Sequence, residues 1–345
     1  MNGGSRRRPT SFDVAERAGV SQPTVSRALS GSPAIAEATR RKVIEAAEAL
    51  GYFVDERAAR LRRGSTGTLA VVVICREGDS ASSINPFAYA LLGSVCVAAS
   101  EKGFETLVSF QARGQDFFGH YQEQGRADGL IVIGTTTNAP AWEHFRGIGG
   151  DTRRVAYWGS PFDELDWVRS DNVAAGKLAA EHLLAAGYRR PCFLGALNTP
   201  QVQFTERYEG YAQGMRDAGL EPCLAPTVKA ATREEEGFRA ARGLIERGLT
   251  GPGGFDAIFA ACDAMALGAI EAFAAADIQV PGEVGVMGFD DLVAGRFSRP
   301  PLTTLTPDPA EAGAALVEAV LEGERAEARR RVPVSLIARG STARC

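Results

Sequence analysis

The chain has 345 residues, 45% hydrophobic and 23% charged, which suits two or three globular domains and excludes collagen-like or mostly disordered classes. No run approaches the roughly 18 apolar residues of a membrane span, and the polar, arginine-rich start lacks the apolar stretch of a signal peptide, so a cytoplasmic protein with no membrane partner is expected. The net charge of −4 is uneven: residues 1–64 hold 12 Lys and Arg against 7 Asp and Glu, the remainder 26 against 35, so a polyanion suits the basic head alone.

Thr10-Ser11-Phe12-Asp13 has the form of a capping box that opens a helix. Phe12, Val14, Ala15 and Ala18 follow at helical spacing, and Gly19 suits the left-handed residue that ends it. Ser21 can cap a second helix, with Pro23 tolerated in its first turn. Val25 and Leu29 face inward there, which leaves Gln22, Pro23, Ser26 and Arg27 outside. A tight turn between two short helices is the helix-turn-helix arrangement, whose second helix enters the DNA major groove. Ser21, Thr24 and Ser26 suit phosphate oxygens, Arg27 a guanine and Gln22 a base edge. A third helix is expected over about 37–50, with Val43, Ile44, Ala47 and Leu50 on one face. The competing reading is an ordinary three-helix bundle with solvated charges.

The run from Thr10 to Leu29, with its pattern D-V-A-x-x-A-G-V-S-x-x-T-V-S-R, resembles the headpiece of the lactose-repressor/galactose-repressor (LacI/GalR) family. The segment Thr39 to Tyr52 matches as well. Ala36 departs from the family, which often has a Ser cap there, so a less crisp start to the third helix is expected. The resemblance adds Thr10 to the DNA contacts. It also implies that residues 53–67 are a hinge helix and linker, with Leu61 as the apolar wedge between minor-groove base steps.

Beyond residue 68 the pattern alternates strands and helices. Strands are expected at 69–74, 105–109, 129–133, 155–158, 192–195, 257–260 and 284–288. Helices are expected near 86–102, 115–126, 171–186, 203–218, 232–247 and 263–275. Two doubly wound parallel-sheet units would leave a ligand cleft at the carboxyl ends of their strands. The resemblance continues through Asp171-Asn172, Arg207-Tyr208-Glu209-Gly210-Tyr211, Asp263-Ala264-Met265, Gly288-Phe289-Asp290-Asp291 and Pro301-Leu302-Thr303-Thr304. It implies an all-α helix-turn-helix headpiece (1–52) and an α/β periplasmic-binding-protein-like core (68–345) crossed three times by the chain. The first subdomain is expected at about 68–170 and 300–328, the second at about 171–299 and 329–345.

Within the cleft the resemblance points to Arg207 and Asp290, with Asp263 as a third polar contact. A guanidinium donates to two acceptors, and a carboxylate accepts from vicinal hydroxyls. Phe87 and Trp158 offer flat faces to a sugar ring, or are core. Asp171 reads as a helix cap before a ligand contact, and Asp291 as a turn cap. Cys262 stands where several relatives are polar. Purine-binding relatives have an aromatic where Thr232 stands and an arginine where Gln201 stands, which disfavours a purine. The segment Val155 to Pro161 is similar to relatives that answer to cellobiose and other glucosides, so a neutral mono- or disaccharide is expected.

No G-x-S-x-G, H-E-x-x-H or Walker A run appears, and the six cysteines include no C-x-x-C pair. No catalytic residue, metal or cofactor is therefore expected. The remaining rivals are a solute-binding protein, which leaves residues 1–64 unexplained, and a sugar oxidoreductase. The expected function is a DNA-binding transcriptional regulator, a repressor by this reading, controlled by a small molecule. A homodimer is expected, formed through a helix carrying Leu91, Leu92 and Val95, for which core packing is the competing reading.

Overall fold

The computed structural model describes residues 9–53, 64–76, 84–134, 138–148, 154–197, 202–250, 253–322 and 329–344. The expected hinge wedge Leu61 and the purine-discriminating Gln201 lie outside them. Two compact units are present, Met1–Thr66 and Gly67–Cys345.

In the first unit α1 spans Ser11–Ala18, α2 Gln22–Leu29 and α3 Glu37–Leu50. The capping box forms as expected: Thr10 N–H donates to Asp13 Oδ2 at 2.7 Å, and Asp13 N–H to Thr10 Oγ1 at 3.4 Å. Gly19 ends α1 at φ 66°, where a side chain would be strained. The core is Val14, Ala15, Val25, Ala28, Val43, Ala46 and Ala47. Two sequence expectations fail here. Phe12 is 70% and Ile44 40% exposed, because small Ala46 and Ala47 let the helices close without them. Ala36 makes no side-chain cap for α3, though its carbonyl accepts from Thr39 N–H at 2.9 Å and Arg40 N–H at 3.0 Å. Arg40 on the first turn of α3 instead donates to the Ser32 carbonyl at 2.8 Å.

In the second unit a six-stranded sheet holds β1 (Thr68–Ile74), β2 (Glu105–Gln111), β3 (Gly129–Gly134), β4 (Val155–Trp158), β5 (Trp167–Ser170) and β10 (Arg329–Val332). Its order is β10-β5-β4-β3-β1-β2, and every pairing is parallel. Strand β1 shows why its sequence is apolar throughout. Leu69, Val71 and Val73 pack on one face, Ala70, Val72 and Ile74 on the other. Helices α4 (Pro86–Glu101) and α11 (Pro309–Glu322) cover the first face, α5 (Ala139–Arg146) the second.

The second sheet has the order β11-β9-β8-β7-β6, with β6 at Pro191–Leu194, β7 at Ala257–Ala260, β8 at Gly285–Phe289, β9 at Thr303–Pro307 and β11 at Val334–Ile337. Only β11 is antiparallel to its neighbour. Its helices are α6 (Asn172–Ala185), α7 (Val202–Asp217), α8 (Arg233–Glu246), α9 (Asp263–Ala275) and the short α10 (Val293–Phe297). Helices α6 and α7 touch backbone to backbone. A Cβ on Gly176 would lie 2.0 Å from the Arg207 carbonyl oxygen, and one on Gly210 1.9 Å from that of Val173. Small residues therefore fix the position of Arg207.

The chain crosses between sheets three times, after β5, after β9 and after β10. Two subdomain limits need correction. Residues 303–307 belong to the second sheet, because β9 pairs with β8; residues 329–332 belong to the first, because β10 pairs with β5. The polar helix near 115–126 is absent. Gln111 exchanges hydrogen bonds with the Phe118 backbone at 2.8 and 3.0 Å and holds this stretch as turns after one 3-10 turn at Gly114–Asp116. Leu91 and Val95 are fully buried beneath α11 and Leu92 packs partly buried against the same core, so the core reading holds for this stripe and Leu91 and Val95 cannot supply a dimer face. The exposed apolar side chains of that region are Tyr89, Val97, Val108 and Phe110.

Candidate functional site

The first unit presents the start of α2. Pro23, Ser26 and Arg27 are exposed, while Val25 and Ala28 anchor the helix from behind. Ser21 stands at the N-cap position, yet its hydroxyl bonds Thr24 Oγ1 at 2.9 Å and no backbone N–H. The expected side-chain cap is therefore missing, which leaves the N–H groups at the helix start for an anion. Gln22 donates to Ser11 Oγ at 3.2 Å and ties the start of α2 to that of α1. Thr10 serves the capping box. The candidate residues Thr10, Ser21, Gln22, Pro23, Thr24, Ser26 and Arg27 thus gather around the two helix starts, with Arg17, Arg41 and Lys42 also exposed.

The second unit holds a cavity of about 530 Å³ between the two sheets. Phe87 and Trp158 wall it from the first subdomain, Arg207 and Asp290 from the second. The two rings lie 5.7 Å apart at 33°, and both line the cavity while belonging to the core cluster.

Arg207 is fixed on three sides. Its Nε donates to Asn172 Oδ1 at 2.9 Å, its Nη1 to the Ala261 carbonyl, and its guanidinium stacks 3.4 Å from the Phe289 ring centroid. Burial lowers its pKa, and the nearby Asp290 carboxylate works against that. Asp290 follows β8 with φ 120°, and Asp291 has φ 52°, both in the region that favours glycine. The Asp290 backbone N–H bonds the Leu305 carbonyl at 2.8 Å, and Asp291 is held between Arg296 and Arg339, each at 2.6 Å. Asp291 is therefore an ion-pair anchor rather than a turn cap. Burial raises the Asp290 carboxyl to about 6, against the pull of Arg207 and a hydrogen bond from Asn85 across the cleft.

Asp263 does not reach the cavity. It is fully buried, accepts from Thr304 Oγ1 at 2.7 Å and from Leu292 N–H at 2.8 Å, and props the loop that carries Asp290. Burial raises its carboxyl to about 7. The expectation of a direct contact fails because the first residue of α9 points beneath that loop. Asp171 caps α6 through Ala174 N–H at 3.1 Å, as its first reading had it. Cys262 and Thr232 line the cavity, and burial raises the Cys262 thiol to about 12.

Among the lining residues that escaped the sequence reading, Gln203 and Arg169 stand out. Gln203 donates to the Gly159 carbonyl at 3.2 Å and keeps a buried Oε1 with no hydrogen-bond partner. Arg169, 2% exposed, is paired with Glu206 at 3.4 Å and Asp163 at 2.9 Å. The signal for Arg169 was a charge inside the strand Trp167–Ser170; Gln203 gave none.

Residues 12–54 match the family described as bacterial regulatory proteins, lacI family, and residues 180–342 match a periplasmic binding protein-like domain. The HTH-type transcriptional regulator CelR of Thermobifida fusca is 31% identical over 310 residues, 87% of each chain. The chain belongs to the LacI family.

A solved complex of a transcriptional regulator CelR with cellobiose has 28% identity and a TM-score of 0.66, and covers 97% of this chain and 100% of that one. A lac repressor dimer bound to operator, 24% identical with a TM-score of 0.79 over 97% and 99% of the two chains, shares the fold. LacI-family membership makes this chain a DNA-binding transcriptional regulator, and the helix-turn-helix and two-sheet core are those its sequence implied. No helix among the described residues is long and apolar enough to cross a membrane.

Proposed function

We propose that this chain is a cytoplasmic repressor that binds operator DNA as a homodimer and answers to a neutral mono- or disaccharide, with no enzymatic activity. The observation that carries the effector class is the pairing of charges around the cavity. Of the charged lining residues, Arg169 is matched by Glu206 and Asp163, Arg233 by Glu236, and Arg207 by the nearby Asp290, while Arg76 donates to the Ala231 carbonyl and Glu234 lines the cavity as well. Charge so matched favours a neutral ligand rich in hydroxyls over an anionic one. Asp290 accepts from vicinal hydroxyls, Arg207 donates to a ring or hydroxyl oxygen, Gln203 Oε1 accepts a hydrogen bond from a further hydroxyl, and Phe87 and Trp158 face the C–H side of the ring. The cellobiose complex of the related CelR supports this class.

In the headpiece, α2 enters the major groove, with Arg27 and Gln22 at base edges, Pro23 in van der Waals contact, and Thr10, Ser21, Thr24 and Ser26 at phosphates. Leu61 takes the minor-groove wedge that the family resemblance implies. Dimerisation uses the face carrying Tyr89, Val97, Val108 and Phe110. The sugar biases the cleft toward one closure, and that closure weakens DNA binding.

A thermal-shift panel of cellobiose, maltose, ribose and hypoxanthine tests the effector class. A sugar at 100 times its Kd stabilises the chain by about 2.7 kcal/mol. Stabilisation by hypoxanthine alone would refute the reading.

A further inference from the structure

Away from the cleft lies a pair of thiols that the regulator function does not use. Cys192 is buried in β6, the edge strand of the second sheet. Cys223 is half-buried on the strap after α7. The strap runs parallel to β6. Phe193 N–H donates to the Cys223 carbonyl at 2.9 Å, Ala225 N–H to the Phe193 carbonyl at 2.8 Å, and Phe193 stands opposite Leu224. That register sets Cys192 opposite Cys223 on one face, and their sulfurs lie 3.4 Å apart. Adjacent strands are spaced about 4.8 Å, inside the Cα separation of roughly 4.4–6.8 Å that a disulfide accepts. Joining the sulfurs needs only side-chain rotation and a small approach.

We propose that Cys192 and Cys223 form a reversible dithiol–disulfide couple oxidised by hydrogen peroxide. Cys223 reacts first, because it is the less buried residue of the pair and the S–H of Cys192 bonds to it at 3.4 Å, which holds its thiol below the usual range. The Cys223 thiolate attacks one peroxide oxygen, the O–O bond breaks, and the departing hydroxide takes a proton to leave as water. Cys223 is then a sulfenic acid. Cys192 Sγ attacks Cys223 Sγ, the S–O bond breaks, and the second hydroxide leaves with the Cys192 proton as water. Two electrons pass from the sulfurs to the peroxide, and a thiol reductant reverses the bond. The cross-link pins the strap eight residues before Ala231, where the cavity lining resumes.

The test treats the folded full-length chain with hydrogen peroxide, alkylates free thiols, and maps peptides by mass. The expected product is a Cys192–Cys223 linked peptide two hydrogens lighter than the separate thiols, lost on reduction with dithiothreitol. In Cys223→Ser, with folding checked by circular dichroism, Cys192 should stay a free thiol under the same dose. Recovery of Cys223 as sulfinic acid, of both thiols still alkylatable, or of Cys223 linked to any other cysteine would overturn the proposal.

Discussion

Arg207 donates from Nε to the side-chain oxygen of Asn172 at 2.9 Å. The Asn172 amide nitrogen in turn donates to Glu206 Oε2 at 2.8 Å. Glu206 also pairs with Arg169 at 3.4 Å and Arg331 at 3.2 Å, neighbours in register on β5 and β10 of the first sheet. One amide thus joins the cavity-lining guanidinium to the ion cluster beside two of the three crossovers.

Replacing Asn172 by Ala removes a charge-assisted bond from each partner. Such bonds contribute about 1.5–3 kcal/mol. Sugar affinity, measured by isothermal titration calorimetry, is expected to fall by at least tenfold while the fold persists. An unchanged Kd would mean that Arg207 needs no positioning by this residue.

Asp290 is expected to make sugar binding pH-dependent. Its carboxyl titrates at about 6, raised by burial. Above that pH the carboxylate accepts from two hydroxyls; below it a proton occupies one acceptor site. Affinity is expected to be full at pH 7.5 and to weaken as pH falls through 6 toward 5. Calorimetry on Asp290→Asn should show weak binding with that pH dependence gone.

Asp263 predicts a stability slope of known sign. Its folded carboxyl is raised to about 7, above the unfolded value, so the protonated form favours folding. This contribution is complete below about pH 4 and is lost as pH rises through 7. Wild-type chain should therefore lose stability from pH 5 to 8 relative to Asp263→Asn in denaturant melts. Thr304→Val strips Asp263 of a donor and is expected to cost about 1–3 kcal/mol.

Arg27 is exposed on α2, where the proposed docking puts its guanidinium at a base edge. Arg27→Ala is expected to cost about 1–3 kcal/mol in operator affinity and to relax preference at one base position. The steep loss of binding with added salt, set by phosphate contacts, should change little. Gel-shift titrations on operator variants at two salt concentrations check both.

The headpiece was legible because its signals are local: Thr10 with Asp13, Gly19, and the spacing of Val14, Ala15 and Val25 lie within a few residues of one another. Sheet membership was less so. Arg329–Val332 is three arginines and a valine, an edge strand with no apolar run to mark it, and Thr303–Pro307 is short and rich in threonine. Helical periodicity marked Leu91 and Val95 as one apolar stripe but does not tell a core from a partner. Asp263 illustrates the remaining difficulty. Its neighbour Cys262 lines the cavity, and only the backbone direction at the start of α9 decides that the carboxylate turns away.

The central claim is that the cleft controls the headpiece. The most direct measurement is fluorescence anisotropy of a labelled palindromic operator, selected on this chain, titrated with protein in the absence and presence of the sugar that gives the largest thermal shift. The account predicts a change in operator affinity of fivefold or more, a coupling of about 1 kcal/mol or greater, abolished in Arg207→Ala. Identical operator binding curves with the cleft empty and saturated would contradict it.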